Sequence, residues 1–173
     1  MNTSMIIRPM TEQDWPQVAA IYEQGIVSHK ATFAQQAPSY ETWDADHHKH
    51  TRLVAETADG IITGWVAIAP SFARSVYSSV AEISIYIHDD FQHQGVGRML
   101  LEAAAEESER NGIWTLEALI FDDNLPSLEL FRKCGYTDLG VRPKLGYDEV
   151  LKKWRNVAML ERRSEAEEIG FCW

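Results

Sequence analysis

A glycine-containing loop between a predicted strand and a predicted helix is the first place where this sequence could do chemistry. The loop reads Gln92-His93-Gln94-Gly95-Val96-Gly97, and its glycines let the backbone approach a ligand closely. At the mouth of a helix, free N–H groups and the positive end of the helix dipole favour a phosphate. The hexapeptide lacks the third glycine of a dinucleotide-binding loop and the lysine of a Walker loop. A plain strand-to-helix turn, with glycines for tight packing, is the alternative.

A carboxylate lies in the strand that precedes this loop. Every second residue from 81 to 87 is apolar and the residues between them begin with Glu82, which is the period of a β-strand. In a central strand covered on both faces, an unpaired carboxylate is costly. Such a group has a perturbed pKa of the kind found at sites of acid–base chemistry. A structural ion pair with Arg74 is the alternative.

The surrounding pattern predicts the elements that must position these residues. We expect strands near residues 5–8, 53–56, 61–69, 81–87, 114–120, 136–139 and 154–160, and helices that begin after Asp14, Ser39, Gly95 and Asn124. Residues 142–153 have the character of a basic loop, and residues 162–169 that of a charged, helical tail. The order β-α-α-β-β-β-α-β-α-β-β predicts an α/β (α+β) fold, a mixed sheet with helices on both faces.

Length and composition narrow the class of protein. The 173 residues are 45% apolar, so we expect a single domain spanning 1–173, with a core over about 5–162 and a charged tail over 163–173. The net charge of −10 argues against nucleic acid as a partner. No apolar run has membrane-spanning length, and the N-terminus lacks a signal pattern, so we expect no membrane partner and a cytoplasmic location.

The histidine-rich segment His47-His48-Lys49-His50 raises the question of a metal site. On a helix these side chains point in different directions, and no cysteine or carboxylate stands at a convincing ligand spacing. We therefore predict a solvated surface and no metal. The two cysteines, Cys134 and Cys172, do not form a disulfide framework.

Several local motifs, taken together with the order of elements, carry a family resemblance. They are Ile-Arg-Pro-Met-Thr-Glu-Gln-Asp at residues 7–14, Thr-Phe at 32–33, Ala-Arg-Ser-Val-Tyr at 73–77, Ala-Glu-Ile-Ser-Ile-Tyr-Ile at 81–87, Asn-Leu-Pro-Ser at 124–127 and Cys-Gly-Tyr at 134–136. The sequence resembles the GNAT superfamily of N-acetyltransferases, and within it the phosphinothricin N-acetyltransferase-like proteins, over residues 5–162. The resemblance implies a mostly antiparallel mixed sheet of about seven strands with about four helices on both faces.

The resemblance also implies acetyl-CoA as co-substrate and indicates which residues hold it. The backbone of Ile85 and Ile87 would pair with the pantetheine arm as if it were an added strand. The N–H groups of the glycine loop would cradle the pyrophosphate: His93, Gln94, Gly95, Val96, Gly97 and Arg98. Asn124 and Ser127, at the start of the next helix, would contact the cofactor. A plain helix-capping role for Asn124 is equally compatible with the sequence.

In this family Glu82 matches the proposed general base, which takes a proton from the acceptor ammonium directly or through a water. The N–H near Ile85 could stabilise the oxyanion. Many relatives carry a tyrosine where this chain has Phe131, and phosphinothricin enzymes commonly carry histidine; phenylalanine cannot protonate the departing thiolate. Tyr86, Tyr136, Tyr147 or water remain as proton sources.

Acceptor recognition is implied for loop residues. Phe33, Arg74 and Tyr77 match loops that line the family's acceptor pocket, and Arg74 could pair with a substrate carboxylate. A surface ion pair for Arg74 and core packing for both aromatic residues are the alternatives. The family's second pocket wall involves a homodimer partner, and residues Lys144, Tyr147 and Trp154 lie in the region expected to contribute.

The sequence thus predicts an N-acetyltransferase that moves acetyl from acetyl-CoA to the primary amine of a small amino acid or analogue, of the phosphinothricin or methionine sulfoximine type. Acetylation of polyamines or protein N-termini is one alternative. A catalytically weak acyl-CoA-binding sensor on the same fold is another, and Phe131 is the residue that keeps it open.

Overall fold

The computed structural model describes residues 4–166 and shows a seven-stranded sheet with helices on both faces. The strands are β1 (Met5–Pro9), β2 (Leu53–Thr57), β3 (Ile62–Pro70), β4 (Val80–Ile87), β5 (Thr115–Phe121), β6 (Thr137–Asp148) and β7 (Lys153–Arg163). The helices are α1 (Trp15–Val27), α2 (Tyr40–Asp46), α3 (Val96–Arg110) and α4 (Leu125–Lys133). The predicted fold class and order of elements are confirmed.

The centre of the sheet contains a gap between two strands. The strand order is β1-β2-β3-β4-β5-β7-β6, and β4 and β5 form the parallel pair of an otherwise antiparallel sheet. Residues 80–82 of β4 pair with residues 115–117 of β5, and the pairing stops there. Both strands continue, to Ile87 and Phe121. Beyond the pairing, their facing backbone N–H and C=O groups are therefore available to a ligand.

Two hydrophobic layers hold the helices against the sheet. On one face, Leu100 of α3 packs in the same buried cluster as Ile83 of β4. On the other face, Trp43 of α2 meets Trp65 of β3 edge-on, with ring centroids 5.9 Å apart. Burial of each such side chain contributes roughly 1.5–3 kcal/mol. Because side chains alternate along β4, Glu82 points to the face covered by α1 and α2.

The helices begin near the residues that the sequence predicts. Ser39 caps α2 by accepting a hydrogen bond from the N–H of Thr42, and Asn124 caps α4 by accepting one from Ser127, each at 3.3 Å. Gly112, just beyond α3, has φ of +75°, the left-handed conformation that favours glycine. None of the described helices is long and apolar enough to cross a membrane.

The prediction of a loop over residues 142–153 was wrong. Most of that stretch belongs to β6, which pairs with β7 and is followed by a short turn over residues 149–152. The pairing of β6 with β7 shifts register at 138–140 and at 142–146, and Gly140, Pro143 and Gly146 lie at these two shifts. Because β6 is the last strand of the sheet, it tolerates a missing N–H donor and bulges that would disrupt a central strand.

The prediction of a helical tail over residues 162–169 was also wrong for the residues that the structure describes, 162–166. Arg162 and Arg163 finish β7 and pair with Leu116 and Thr115 of β5. A strand that extends an existing ladder gains hydrogen bonds at each residue, whereas a short isolated helix is marginal in water. Residues 167–169 lie outside the described residues.

A buried cation on β7 fastens several loops around the gap. Arg155 is 4% exposed and donates to Asp148 of β6 at 3.1 Å, to Asp123 at 2.9 Å and to the carbonyl of His29 at 3.0 Å. Its guanidinium also stacks on Phe121, 3.8 Å from the ring centroid. One side chain thus joins β5, β6, the β5–α4 connection and the segment after α1.

We predict that Arg155→Ala lowers the free energy of unfolding by about 3–5 kcal/mol, because it leaves the buried Asp148 without its cation. Urea denaturation at neutral pH measures the change. Arg163→Ala is the control, since that side chain is exposed and its ion pair with Glu161 should be worth at most about 1 kcal/mol. Equal losses in the two variants would contradict the structural role of Arg155.

Candidate active site

A cleft of about 340 Å³ opens where β4 and β5 separate. Its walls come from both strands, the first turn of α4, the segment after α1 and the edge strand β6. Representative lining residues are Glu82, Ile85, Leu119, Ser127, Phe33 and Leu145. The cleft therefore combines open strand edges, a carboxylate and a helix N-terminus, which are the parts needed to hold an extended ligand beside an acid–base group.

Glu82 stands at the closed end of the gap, in the last paired residues of β4 and β5. It is half-buried, and within residues 4–166 its side chain makes no hydrogen bond or ion pair. Burial raises the pKa of its carboxyl, and the charge of Glu117, its partner across the strands, raises the pKa further. The alternative ion pair with Arg74 is absent from the described structure, where Arg74 is exposed on the loop before β4.

The backbone of the glycine loop has positive φ angles, as its glycine content suggests. His93 has φ of +60° and Gly95 +83°, and α3 begins at Val96. Gly95 occupies the capping position without a side chain to cap the helix, so first-turn N–H groups stay open to a ligand. Gly97 has a packing reason as well, because a Cβ there would lie 2.7 Å from Leu130 of α4. The packing interpretation is therefore confirmed for Gly97, and Gly95 remains the predicted point of contact with a ligand.

Other residues of the loop have partners of their own. The side chain of Gln94 donates to the carbonyl of Asp90 at 2.9 Å and holds the loop to the turn before it. Arg98 is exposed and pairs with Glu102 one turn later, at 2.7 Å. A phosphate at this end of α3 would therefore meet backbone N–H groups first, with Arg98 at the rim.

Asn124 and Ser127 line the cleft at the start of α4. The Asn124 side chain accepts from the Ser127 N–H and donates to the Lys30 carbonyl at 3.0 Å. The helix-capping interpretation of Asn124 is therefore confirmed. The second bond fastens the segment after α1 to the helix and brings that segment to the cleft.

The three predicted acceptor residues are divided between two places. Phe33 lines the cleft, with its ring edge-on to Phe121 at 4.8 Å and against Gly146, where a Cβ would lie 2.4 Å from the ring. Arg74 and Tyr77 are exposed on the loop before β4 and are not among the residues that line the cleft. Phe33 and Tyr77 are each 42% exposed, so neither is a core residue.

The position expected to match the tyrosine of many relatives holds a buried ring. Phe131 is 2% exposed, lines the cleft and packs edge-on against Tyr136 at 4.8 Å. Of the three tyrosines considered as proton sources, Tyr86 lines the cleft, whereas Tyr136 and Tyr147 do not. Burial raises the pKa of Tyr86, so this hydroxyl stays protonated at neutral pH.

The cleft also contains residues that the sequence did not reveal as functional. Tyr22 of α1 and Leu145 of β6 reach it from distant parts of the chain. Ser84 lies two residues after Glu82 on the same face of β4, and the strand period could have identified it.

The histidine-rich segment lies elsewhere. It follows α2, which ends at Asp46, so these residues are not on a helix as the sequence suggested. His47 continues in an extended conformation and stacks on Trp43 at 4.3 Å. Among residues 4–166 no three histidine, cysteine or carboxylate side chains are grouped as metal ligands.

Comparison with known proteins agrees with this geometry. A sequence model described as the acetyltransferase (GNAT) family matches residues 15–136. The chain is 31% identical to the phosphinothricin N-acetyltransferase of Alcaligenes faecalis, over 90% of this chain and 81% of that protein. It is 28% identical to the phosphinothricin N-acetyltransferase of Streptomyces viridochromogenes, over 92% of this chain and 87% of that one.

A solved structure shares the fold. The phosphinothricin acetyltransferase of Sinorhizobium meliloti, in complex with acetyl-CoA, superposes with a TM-score of 0.81 at 21% identity, over 92% of this chain and 88% of that one. The match to the family model covers well over half of the 173 residues. The chain therefore belongs to the GNAT family of acetyltransferases.

Proposed function

We propose that this protein transfers the acetyl group of acetyl-CoA to the primary amine of a small amino acid or amino-acid analogue. The observation that carries the proposal is the cleft between β4 and β5, with an unpaired carboxylate at its closed end and the first turn of α4 along its wall. The relatives named as phosphinothricin N-acetyltransferases, and those of Pseudomonas aeruginosa named for L-methionine sulfoximine and L-methionine sulfone, support this class of acceptor.

In this proposal the cofactor lies along the open edge of β4. The backbone of Ile85 and Ile87 pairs with the pantetheine arm in the way that an added strand would. The pyrophosphate sits against the N–H groups of residues 93–98, where the positive end of α3 favours anions. Asn124 and Ser127 border the other side of the arm, since both line the cleft.

The proposed chemistry begins with a proton. An amine acceptor arrives largely as its ammonium form at neutral pH and cannot attack until it loses a proton. Glu82 takes that proton, directly or through a water, because its raised pKa makes it a better base than an exposed carboxylate. The free amine attacks the thioester carbonyl, and a backbone N–H near Ile85 stabilises the oxyanion.

Departure of CoA does not need a strong acid in this scheme. Phe131 cannot donate a proton, but a thiolate is a tolerable leaving group near neutral pH. The proton that the attacking nitrogen still carries is transferred to the sulfur, through water or the Tyr86 hydroxyl at the cleft wall. A catalytically weak acyl-CoA sensor is therefore the less favoured function, since Phe131 alone does not remove a necessary group.

Acceptor specificity is assigned to the cleft entrance. Phe33 forms a wall of the cleft, and Arg74 and Tyr77, on the loop before β4, contact the acceptor when that loop closes on it. Arg74 is free to take a carboxylate, because within residues 4–166 its guanidinium has no ion pair. A carboxylate contact favours amino acids over polyamines as acceptors. The acidic surface of the protein acts in the opposite direction, because it would favour polyamines.

The remaining wall is proposed to come from a second copy of the chain in a homodimer. The β6–β7 end of the sheet exposes a group of apolar side chains: Tyr147, Val150, Leu151 and Trp154, between 40% and 56% exposed. Exposed apolar groups of this size, next to the cleft residue Leu145, are typical of an interface.

An acceptor screen at fixed acetyl-CoA tests the proposed function by thiol release. We expect turnover with phosphinothricin, methionine sulfoximine or methionine sulfone, and little with spermidine or an alanine-terminated peptide. Turnover confined to peptides or polyamines would show that the acceptor belongs to that class and is not a small amino acid. Tight CoA binding without turnover on any amine would favour the sensor function.

For the general base, we predict that Glu82→Gln lowers kcat/KM at neutral pH by about 10²–10⁴-fold, the usual range for a lost acid–base group. The loss should shrink as the pH rises, because more of the acceptor is then already deprotonated. The pH profile of kcat/KM measures both effects. Wild-type rates across the pH range would show that Glu82 is not the base.

For the phosphate loop, we predict that Gly95→Ala weakens CoA binding about 5–30-fold by calorimetry. A non-glycine residue at φ of +83° costs about 1–2 kcal/mol, and the loop relaxes away from the bound shape. Gly112→Ala is the matched control, because φ there is +75° and the residue lies at the opposite end of α3. An equal loss of affinity in the control would contradict the assignment.

For the dimer, we predict that Trp154→Glu converts a dimer to a monomer of half the mass in light scattering. A charge at the centre of an apolar interface is costly when it is buried without a partner. Ile6→Glu is the control, since Ile6 is 56% exposed on β1, at the edge of the sheet opposite β6. A wild-type protein of monomer mass would rule the dimer out.

A further inference from the structure

A second, smaller cavity of about 140 Å³ adjoins the cleft on the face of the sheet to which Glu82 points. It shares three lining residues with the cleft, Tyr22, Ser84 and Tyr86. His47 and Asp46, at the end of α2, also line it, and Asp46 is exposed. The cavity therefore extends from the wall of the cleft to the protein surface.

The wall between the two spaces carries hydroxyl groups. The Tyr22 and Tyr86 rings lie against each other, with centroids 4.8 Å apart, and Thr32 lines the cleft beside them. Ser84 lies between Glu82 and Tyr86 on the same face of β4. A polar cavity of this size has room for a few water molecules. Hydroxyls and water together can pass a proton from one to the next.

His47 is held in one orientation and one tautomer at this cavity. Its Nδ1 lies 2.7 Å from the carbonyl oxygen of Trp43, and because a carbonyl oxygen only accepts, Nδ1 must carry the hydrogen. The ring is stacked on Trp43 at 4.3 Å with an interplanar angle of 22°. In the neutral ring, Nε2 is therefore a free proton acceptor.

The charges around His47 favour the neutral ring. Burial is the main cause that lowers its pKa, and the charges of Arg52 and His48 lower it further. The Trp43 carbonyl and the Asp46 carboxylate act in the opposite direction. Tyr22 and Tyr86, which face the same cavity from α1 and β4, are hydroxyls and add no positive charge. The ring is therefore neutral at neutral pH, with Nε2 available to accept a proton.

We propose that His47 carries the proton that Glu82 takes from the acceptor out to solvent. The inference rests on the function proposed above. The ammonium N–H bond breaks as an O–H bond forms on Glu82. That proton passes over the Tyr86, Tyr22 and Ser84 hydroxyls and water to Nε2 of His47, and then to bulk water beside Asp46. The second proton of the attacking nitrogen goes to the sulfur of CoA, so each turnover releases one proton to solvent and Glu82 returns to its carboxylate form.

The variant His47→Gln tests this role. Its amide can still donate to the Trp43 carbonyl, but it cannot take up a proton. The assay uses methionine sulfone as acceptor and a dilute buffer whose molecules are too large to enter the cavity and accept the proton there. We expect kcat to fall about 10-fold or more, with the KM for acetyl-CoA unchanged. Added imidazole should restore kcat in proportion to its concentration, and the wild-type protein should not respond.

His50→Gln is the matched control, because His50 lies nearby but lines neither cavity. It should keep the wild-type kcat and show no response to imidazole. A His47→Gln variant with wild-type kcat, or with a loss that imidazole does not restore, would overturn the proposal. Absence of turnover by the wild-type protein on every amine would instead contradict the proposed function itself.

Discussion

The early end of pairing between β4 and β5 is the constraint on which the rest of the structure depends. Each strand is fully paired on its other edge: β4 with β3 from residue 81 to residue 87, and β5 with β7 from residue 115 to residue 121. Gly64 of β3 holds the first pair especially close, since a Cβ there would lie 2.8 Å from Ile87 and 3.0 Å from the Tyr86 carbonyl. Each strand is therefore held in its own half of the sheet, and the backbone edges that face the gap are available to a ligand.

The electrostatics of the cleft follow from the same geometry. The last paired residues place Glu82 opposite Glu117, two carboxylates with no basic partner for Glu82 within the described residues. In an ordinary core this arrangement would be a defect. Beside an open cleft it raises the pKa of one carboxylate, as the proposed general base requires, and the proposed proton path leads from there through the adjoining cavity.

Sequence reasoning succeeded where the cause of structure is local. The alternation along β4 and the helix starts at Ser39 and Asn124 each depend on a few neighbouring residues, and each is found as predicted. The long strand β6 was missed because its bulges interrupt the two-residue period of a strand. Its pairing with β7 compensates for the hydrogen bond that Pro143 cannot donate. Tyr22 and Leu145 could not have been assigned to the cleft, since only the folded sheet brings them there.

The buried guanidinium of Arg155 has a consequence for how this active site could change. It anchors three cleft segments, through Asp148, Asp123 and the His29 carbonyl. Phe33 and Leu145 line the cleft without being partners of this guanidinium, so substitutions there would reshape the cleft while the anchor keeps its three partners. The group that holds the cleft segments together is thus separate from the side chains that shape the cleft, and the amine that fits could change without loss of the anchor.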